Sequence, residues 1–231
     1  MVELKTQGEI EAMRAAGKIV ADALAAVREQ AGAGVPLTEL DQVAREVLAE
    51  AGATSPFLGY QPGFASTPFP AVICTSVNDA ALHGIPTSYR LADGDLLSVD
   101  CGAVLDGWAG DAAISLTIGV PRPADLRLIE TGQEALRAGI AAAVAGARMG
   151  DVSAAIGAIG RAHGCGAQAG HKFPGQQGGR RSARLPAGQL GPAGRLTISR
   201  AGWLVGYLGR RMTVTFHAGC TSAQLAMCRP G

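Results

Sequence analysis

The chain has 231 residues, 48% of them hydrophobic and 17% charged, with a formal net charge of +1, which is enough material for one sizeable domain with its own core. No apolar run approaches the 18 residues of a membrane span, and the opening MVELKTQGEIE lacks the basic and apolar regions of a secretory signal. Five cysteines (Cys74, Cys101, Cys165, Cys220 and Cys228) form no C-x-x-C pair, which argues against a disulfide framework or a zinc finger and for reduced thiols in a cytoplasmic protein.

Thr6 followed by Glu9 is a capping box, and Ile10, Met13, Ala16, Ile19 and Val20 then recur at helical spacing. A first helix is expected over residues 7–30, stopped by Gly32 and Gly34. Thr38 and Asp41 repeat the capping pattern and open a second helix to about residue 50, with Leu40, Val43, Val47 and Leu48 as its apolar stripe. Both helices read as scaffold. Residues 55–70, rich in Pro, Gly and aromatics, read as a loop of the kind that carries binding residues on a rigid frame. Residues 71–77 are a short strand, Asn78-Asp79 a turn, and Pro86 holds Ile85 extended. After a hairpin centred on Asp106-Gly107, Pro121 and Pro123 break the strand. A helix over 124–145 follows, stopped by Gly146, and a shorter one over 152–163 is capped by Gly150-Asp151.

The hairpin is the most informative stretch. Asp106-Gly107 between two short apolar runs is a strong signal for a two-residue loop, which sets Leu105 opposite Trp108, Asp100 opposite Ala113 and Asp111 opposite Gly102. Alternation along the strands then puts Ser98, Asp100 and Gly102 on one face with Asp111, Ala113 and Ser115. Val99, Cys101, Ala103, Ala112, Ile114 and Leu116 take the core face. Asp100 and Asp111 become a diagonal cross-strand pair with Cα atoms about 7–8 Å apart. Two carboxylates this close either lie on a solvated surface or share a cation, because without one they raise each other's pKa.

Leu82-His83-Gly84-Ile85-Pro86, then Gly94-Asp95, then the VD-x10-D hairpin resemble, in order and separation, the type I methionine aminopeptidases. Phe57-Leu58-Gly59-Tyr60 and Phe69-Pro70 through Cys74-Thr75-Ser76-Val77-Asn78 resemble that family's substrate-pocket stretch, and the likeness spans roughly residues 9–163. It implies an α+β pita-bread fold: two related halves whose antiparallel strands, with helices outside, enclose a dinuclear metal site. It also implies removal of the N-terminal methionine from nascent polypeptides, with a small second residue preferred. Asp100 and Asp111 would hold two divalent ions (Co, Mn, Fe or Zn), and His83 would donate a hydrogen bond to the substrate or the tetrahedral intermediate. Tyr60, Phe69 and Cys74 would line the methionine pocket; on the residues alone each is equally well ordinary packing. By the same resemblance the protein is a ribosome-associated monomer with no membrane partner. A prolidase or Xaa-Pro aminopeptidase is the enzyme alternative. Those usually carry a large N-terminal domain, whereas here the fold is expected to start within ten residues of Met1.

The chain changes character near His163. All 19 acidic residues lie at or before Asp151, so residues 1–151, with ten Lys and Arg, carry −9, and the remaining eighty carry +10. We therefore divide it into a catalytic domain over 1–163 and a basic, acid-free, weakly ordered segment over 164–231. The family completes its metal site with a histidine and two glutamates from this half. Ala169-Gly170-His171 faintly resembles the histidine motif, which makes His171 the candidate third ligand, and His217 stands where the first glutamate is expected. A shift out of the ancestral reading frame would explain such a tail. So would a catalytically dead relative whose basic tail binds ribosomal or other RNA. Either way catalysis by this chain is expected to be weak or absent.

Overall fold

The computed structural model describes residues 5–61, 65–80 and 82–165, together with the backbones of two strands at 201–208 and 211–218. Helix α1 (Gln7–Gln30) starts as its sequence predicts: the Glu9 amide donates to Thr6 Oγ1 at 3.3 Å and the Thr6 amide donates to the Glu9 carboxylate at 2.7 Å. Its buried stripe of Met13, Ala16, Ile19, Val20, Ala23, Leu24 and Val27 packs on the sheet formed by β1 (Ile73–Val77), β2 (Leu96–Leu105) and β3 (Trp108–Thr117). The strands are antiparallel in the order β1-β2-β3.

The β2–β3 register is the predicted one, Leu105 opposite Trp108 and Asp100 opposite Ala113. Asp106 and Gly107 both take positive φ, +50° and +81°, the geometry of a type I′ turn whose twist matches the strands it joins. Val99, Cys101, Ala103, Ala112 and Ile114 are buried against α1 and α2. The other face of the sheet is therefore free for chemistry.

Helix α2 (Leu37–Glu50) departs from the expectation at its start. Pro36 is the N-cap, with no side-chain cap bond. Asp41 points inward, where its Oδ1 accepts the amides of Val72 (2.7 Å) and Ile73 (3.2 Å) and its Oδ2 accepts Arg45 Nε (2.7 Å). Arg45 also donates to the Pro70 carbonyl. A buried carboxylate must find such partners, and satisfying them pins the entrance of β1 to α2. Helix α3 (Pro123–Ala142) ends three residues earlier than predicted, and α4 (Met149–Ala162) begins three residues earlier, with the Arg148 amide donating to Asp151 at 2.7 Å. The backbones of β4 (Ala201–Leu208) and β5 (Arg211–Ala218) pair antiparallel. His217 falls in β5, and the rest of residues 166–231 lies outside the described residues, as does His171.

Candidate metal centre

Pairing across all three strands assembles the site floor from the backbone upward. Cys74 is opposite Asp100, which is opposite Ala113, and the next row places Gly102 opposite Asp111. Cys74, Asp100 and Asp111 therefore converge on the sheet face turned away from the core. Both aspartates are half-buried, yet Oδ1 of each is sealed from solvent with no hydrogen-bond partner among the described residues.

The electrostatics follow from that enclosure. Burial pushes the Asp100 carboxyl up to about 6 from 3.8, partly offset by a hydrogen bond shared with Asp111. Asp111 is raised well above its usual value, first by burial, then by the charge of Asp100 and by holding the shared proton. Burial, followed by the charges of Asp100 and Asp111, drives the Cys74 thiol far above its ordinary range. Cys74 is thus held as a neutral S–H beside the pair. Two hard carboxyl oxygens with no hydrogen-bond partner among the described residues, on groups that share a proton because burial and each other's charge disfavour ionising both, fit divalent cations that would take that proton's place. No third His, Cys, Asp or Glu joins them in a metal-binding group among the described residues.

The wall above this floor comes from the 55–70 loop. Ser55 Oγ donates to the Val72 carbonyl at 3.1 Å. That bond lays Pro56 and Phe57 over Gly102, where a Cβ would stand 2.7 Å from Pro56 Cγ and 3.1 Å from Phe57 Cε1. Only a residue without a side chain admits them directly opposite Asp111. Further along, the Phe69 amide donates to the Tyr60 carbonyl and the Gly59 amide to the Phe69 carbonyl, both at 2.8 Å. Tyr60 and Phe69 are thereby brought together, Tyr60 exposed and Phe69 half-buried. His83 is exposed and left-handed, φ +57°, on a segment that docks beside Thr75 and Ser76 of β1.

The contacts of three further residues, Pro56, Asp41 and Asp95, are set by packing and are not legible in the sequence pattern. Pro56 sits over Gly102, a contact no local spacing reveals. Asp41, spaced from Thr38 as a cap would be, is instead a buried carboxylate paired with Arg45, and that arginine four positions on is the signal of the pairing in the sequence. Asp95 gathers Asn78 Nδ2 (2.8 Å), Tyr89 Oη (2.9 Å) and the Ala92 amide (2.8 Å). Burial works to raise its pKa, but these donors and Arg122 prevail and hold it below the usual carboxylate range. This hub ties the exit of β1 to the start of β2.

Comparison with known proteins bears on the same elements. The chain matches Metallopeptidase family M24 over residues 11–222. It is 50% identical over 157 residues to methionine aminopeptidase 1 of Mycobacterium tuberculosis, covering 68% of this chain and 57% of that protein. It is 40% identical over 156 residues to methionine aminopeptidase of Aquifex aeolicus, covering 67% and 60%. The chain thus spans less than two thirds of the curated relatives it matches. Among solved structures, methionine aminopeptidase of Thermotoga maritima superposes with a TM-score of 0.69 at 30% identity, covering 81% of this chain and 79% of that one. The Rickettsia prowazekii enzyme gives 0.71 at 25% identity, with 97% and 94% covered. The prolidase of Pyrococcus furiosus, at 23% identity and a TM-score of 0.61, shares the fold alone. The α+β pita-bread architecture expected from the sequence is the one these neighbours share, here with its second half incomplete among the described residues. With the carboxylate hairpin on the floor of that fold and the family match running through most of its length, the chain belongs to metallopeptidase family M24.

Proposed function

We propose that this chain is a methionine aminopeptidase-type protein in which Asp100 and Asp111 hold divalent cations at the floor of the site. The observation that carries the reading is the pair of sealed oxygens, Oδ1 of Asp100 and Oδ1 of Asp111, on adjacent strands and without a hydrogen-bond partner among the described residues. When bound, such cations lower the pKa of a water and polarise a scissile carbonyl. The chain's own residues supply the rest. His83 donates a hydrogen bond toward the carbonyl oxygen on which charge develops. The neutral Cys74 thiol, with Tyr60 and Phe69, offers soft and aromatic surface suited to a methionine thioether. Pro56 and Phe57 close the floor beside Asp111. The substrates are N-termini of nascent polypeptides, met by a cytoplasmic, ribosome-associated monomer; no helix among the described residues is long and apolar enough to cross a membrane.

Turnover is expected to be low. Residues 152–231 hold no Asp or Glu, so they supply no carboxylate to carry the proton from the attacking water, and His171 is the candidate for the remaining metal contact. Titration calorimetry with Mn²⁺ tests the proposal. Saturable binding by the wild type that disappears in Asp100→Ala/Asp111→Ala, with slow release of methionine from a Met-Gly-Ser peptide, supports it. Equal heats from both proteins overturn it.

The division of charge, −9 over residues 1–151 and +10 beyond, favours a second reading: a catalytically dead relative whose basic segment binds RNA electrostatically. Salt-sensitive heparin retention lost on deleting residues 152–231, with no Mn²⁺ binding, is the result that would select it.

A further inference from the structure

We propose that Ser76 is a positioning residue for His83, acting through the backbone of Gly84. This rests on the reading of His83 as the hydrogen-bond donor at the site.

Gly84 is fastened to β1 through both of its backbone polar groups. Its carbonyl accepts the Thr75 amide at 2.8 Å, and its amide donates to Ser76 Oγ at 3.2 Å. The approach is so close that a Cβ on Gly84 would overlap the Thr75 carbonyl oxygen. The preceding residue, His83, stands at φ +57°, a left-handed conformation that is uncommon in residues with a Cβ and costs them energy unless neighbouring contacts favour it. The bond to Ser76 restrains the peptide that joins His83 to Gly84, and so restrains the histidine.

The location makes the restraint specific to the site. Ser76 lies on the same sheet face as Cys74, two residues and about 7 Å along the strand, and Cys74 is opposite Asp100. Ser76 is itself opposite Ser98, whose hydroxyl meets that of Ser115 at 2.7 Å. The row of three serines is thus a polar rail beside the carboxylates. Ser76 is buried, 3% exposed, so its oxygen has been withdrawn from water and accepts a backbone donor in exchange. It needs to touch neither substrate nor cation: it sets where the imidazole stands relative to a floor built from the same strand.

The test is a ¹H–¹³C correlation spectrum of the four histidines in the full chain, with His83 assigned from His83→Gln. In Ser76→Ala the His83 ring resonances are expected to move and broaden while those of His163 stay in place. Ser76→Thr, which keeps the oxygen, is expected to leave His83 where it is in the wild type. In the peptide assay Ser76→Ala should lower kcat about five- to tenfold, the loss of one hydrogen bond, with KM and Mn²⁺ affinity within twofold, and Ser76→Thr should restore it. Unmoved His83 resonances in Ser76→Ala, or equal movement in both variants, overturns the proposal. A wild type that releases no methionine, with His83 still displaced by Ser76→Ala, sinks the aminopeptidase reading and leaves the positioning role standing.

Discussion

Asp100→Asn is expected to stabilise the metal-free protein at neutral pH. In the native state burial raises the Asp100 pKa from 3.8 to about 6. Between those values the folded protein keeps a proton that the unfolded chain has released, so stability falls as pH rises through the window. A difference of roughly two pKa units corresponds to about 3 kcal/mol. Asparagine is neutral throughout and has no such loss. The stability difference, variant minus wild type, should therefore be near zero at about pH 3.5, grow through pH 4 to 6, and level off at about 3 kcal/mol by pH 7.5. Urea unfolding in EDTA at a series of pH values measures it; the comparison cancels titrating groups remote from the site, and Asp111, relieved of the Asp100 charge in the variant, shifts the profile in the same direction. Mn²⁺ should then reverse the order. At a concentration about a hundredfold above its dissociation constant the cation stabilises the wild type by about 2.7 kcal/mol, and the variant, lacking one ligand oxygen, should gain little. Parallel stability profiles across pH, or a variant less stable than wild type at pH 7.5 in EDTA, would refute the picture of two sealed carboxylates in want of a cation.

Two further outcomes test what holds the site. Asp41→Ala leaves the buried amides of Val72 and Ile73 without an acceptor and Arg45 without its partner, so it should cost about 3 kcal/mol, roughly 6–12 °C in Tm for a domain of this size; a loss under about 1 kcal/mol would show that α2 does not anchor β1. Cys74, its thiol raised by burial and by the two aspartates, should react with iodoacetamide at pH 8 at least about tenfold more slowly than the half-buried Cys165. Peptide mapping that finds Cys74 labelled first would contradict its placement against the carboxylates.

What could be read in advance was local. The Thr6–Glu9 cap spans four residues and Asp106-Gly107 spans two, so the interactions that define them are already present in a short peptide. Once that turn is set, a period of two assigns Asp100 and Asp111 to one face of β2–β3, and the observed register agrees with it residue for residue. Asp41 shows the limit of the same reasoning. Its spacing from Thr38 fits a cap, yet its bonds run to Val72 and Ile73, 31 and 32 residues away. Burial of the α2 stripe turned that carboxylate toward β1, and no window of sequence contains both ends of the interaction.

Sequence by itself determined the start of α1, the hairpin, the shared face of the two aspartates and the absence of acidic residues from Val152 to Gly231, because each is a matter of order and spacing along the chain. Tertiary structure alone decided that Oδ1 of both aspartates is cut off from water, that Cys74 stands opposite Asp100, that Pro56 lies over Gly102, and that Gly84 fastens His83 to β1. Those are consequences of enclosure. A carboxylate's pKa and a histidine's backbone conformation are set by the neighbours that packing brings from elsewhere in the chain, and these exist only once the sheet, α1 and the 55–70 loop have closed around them.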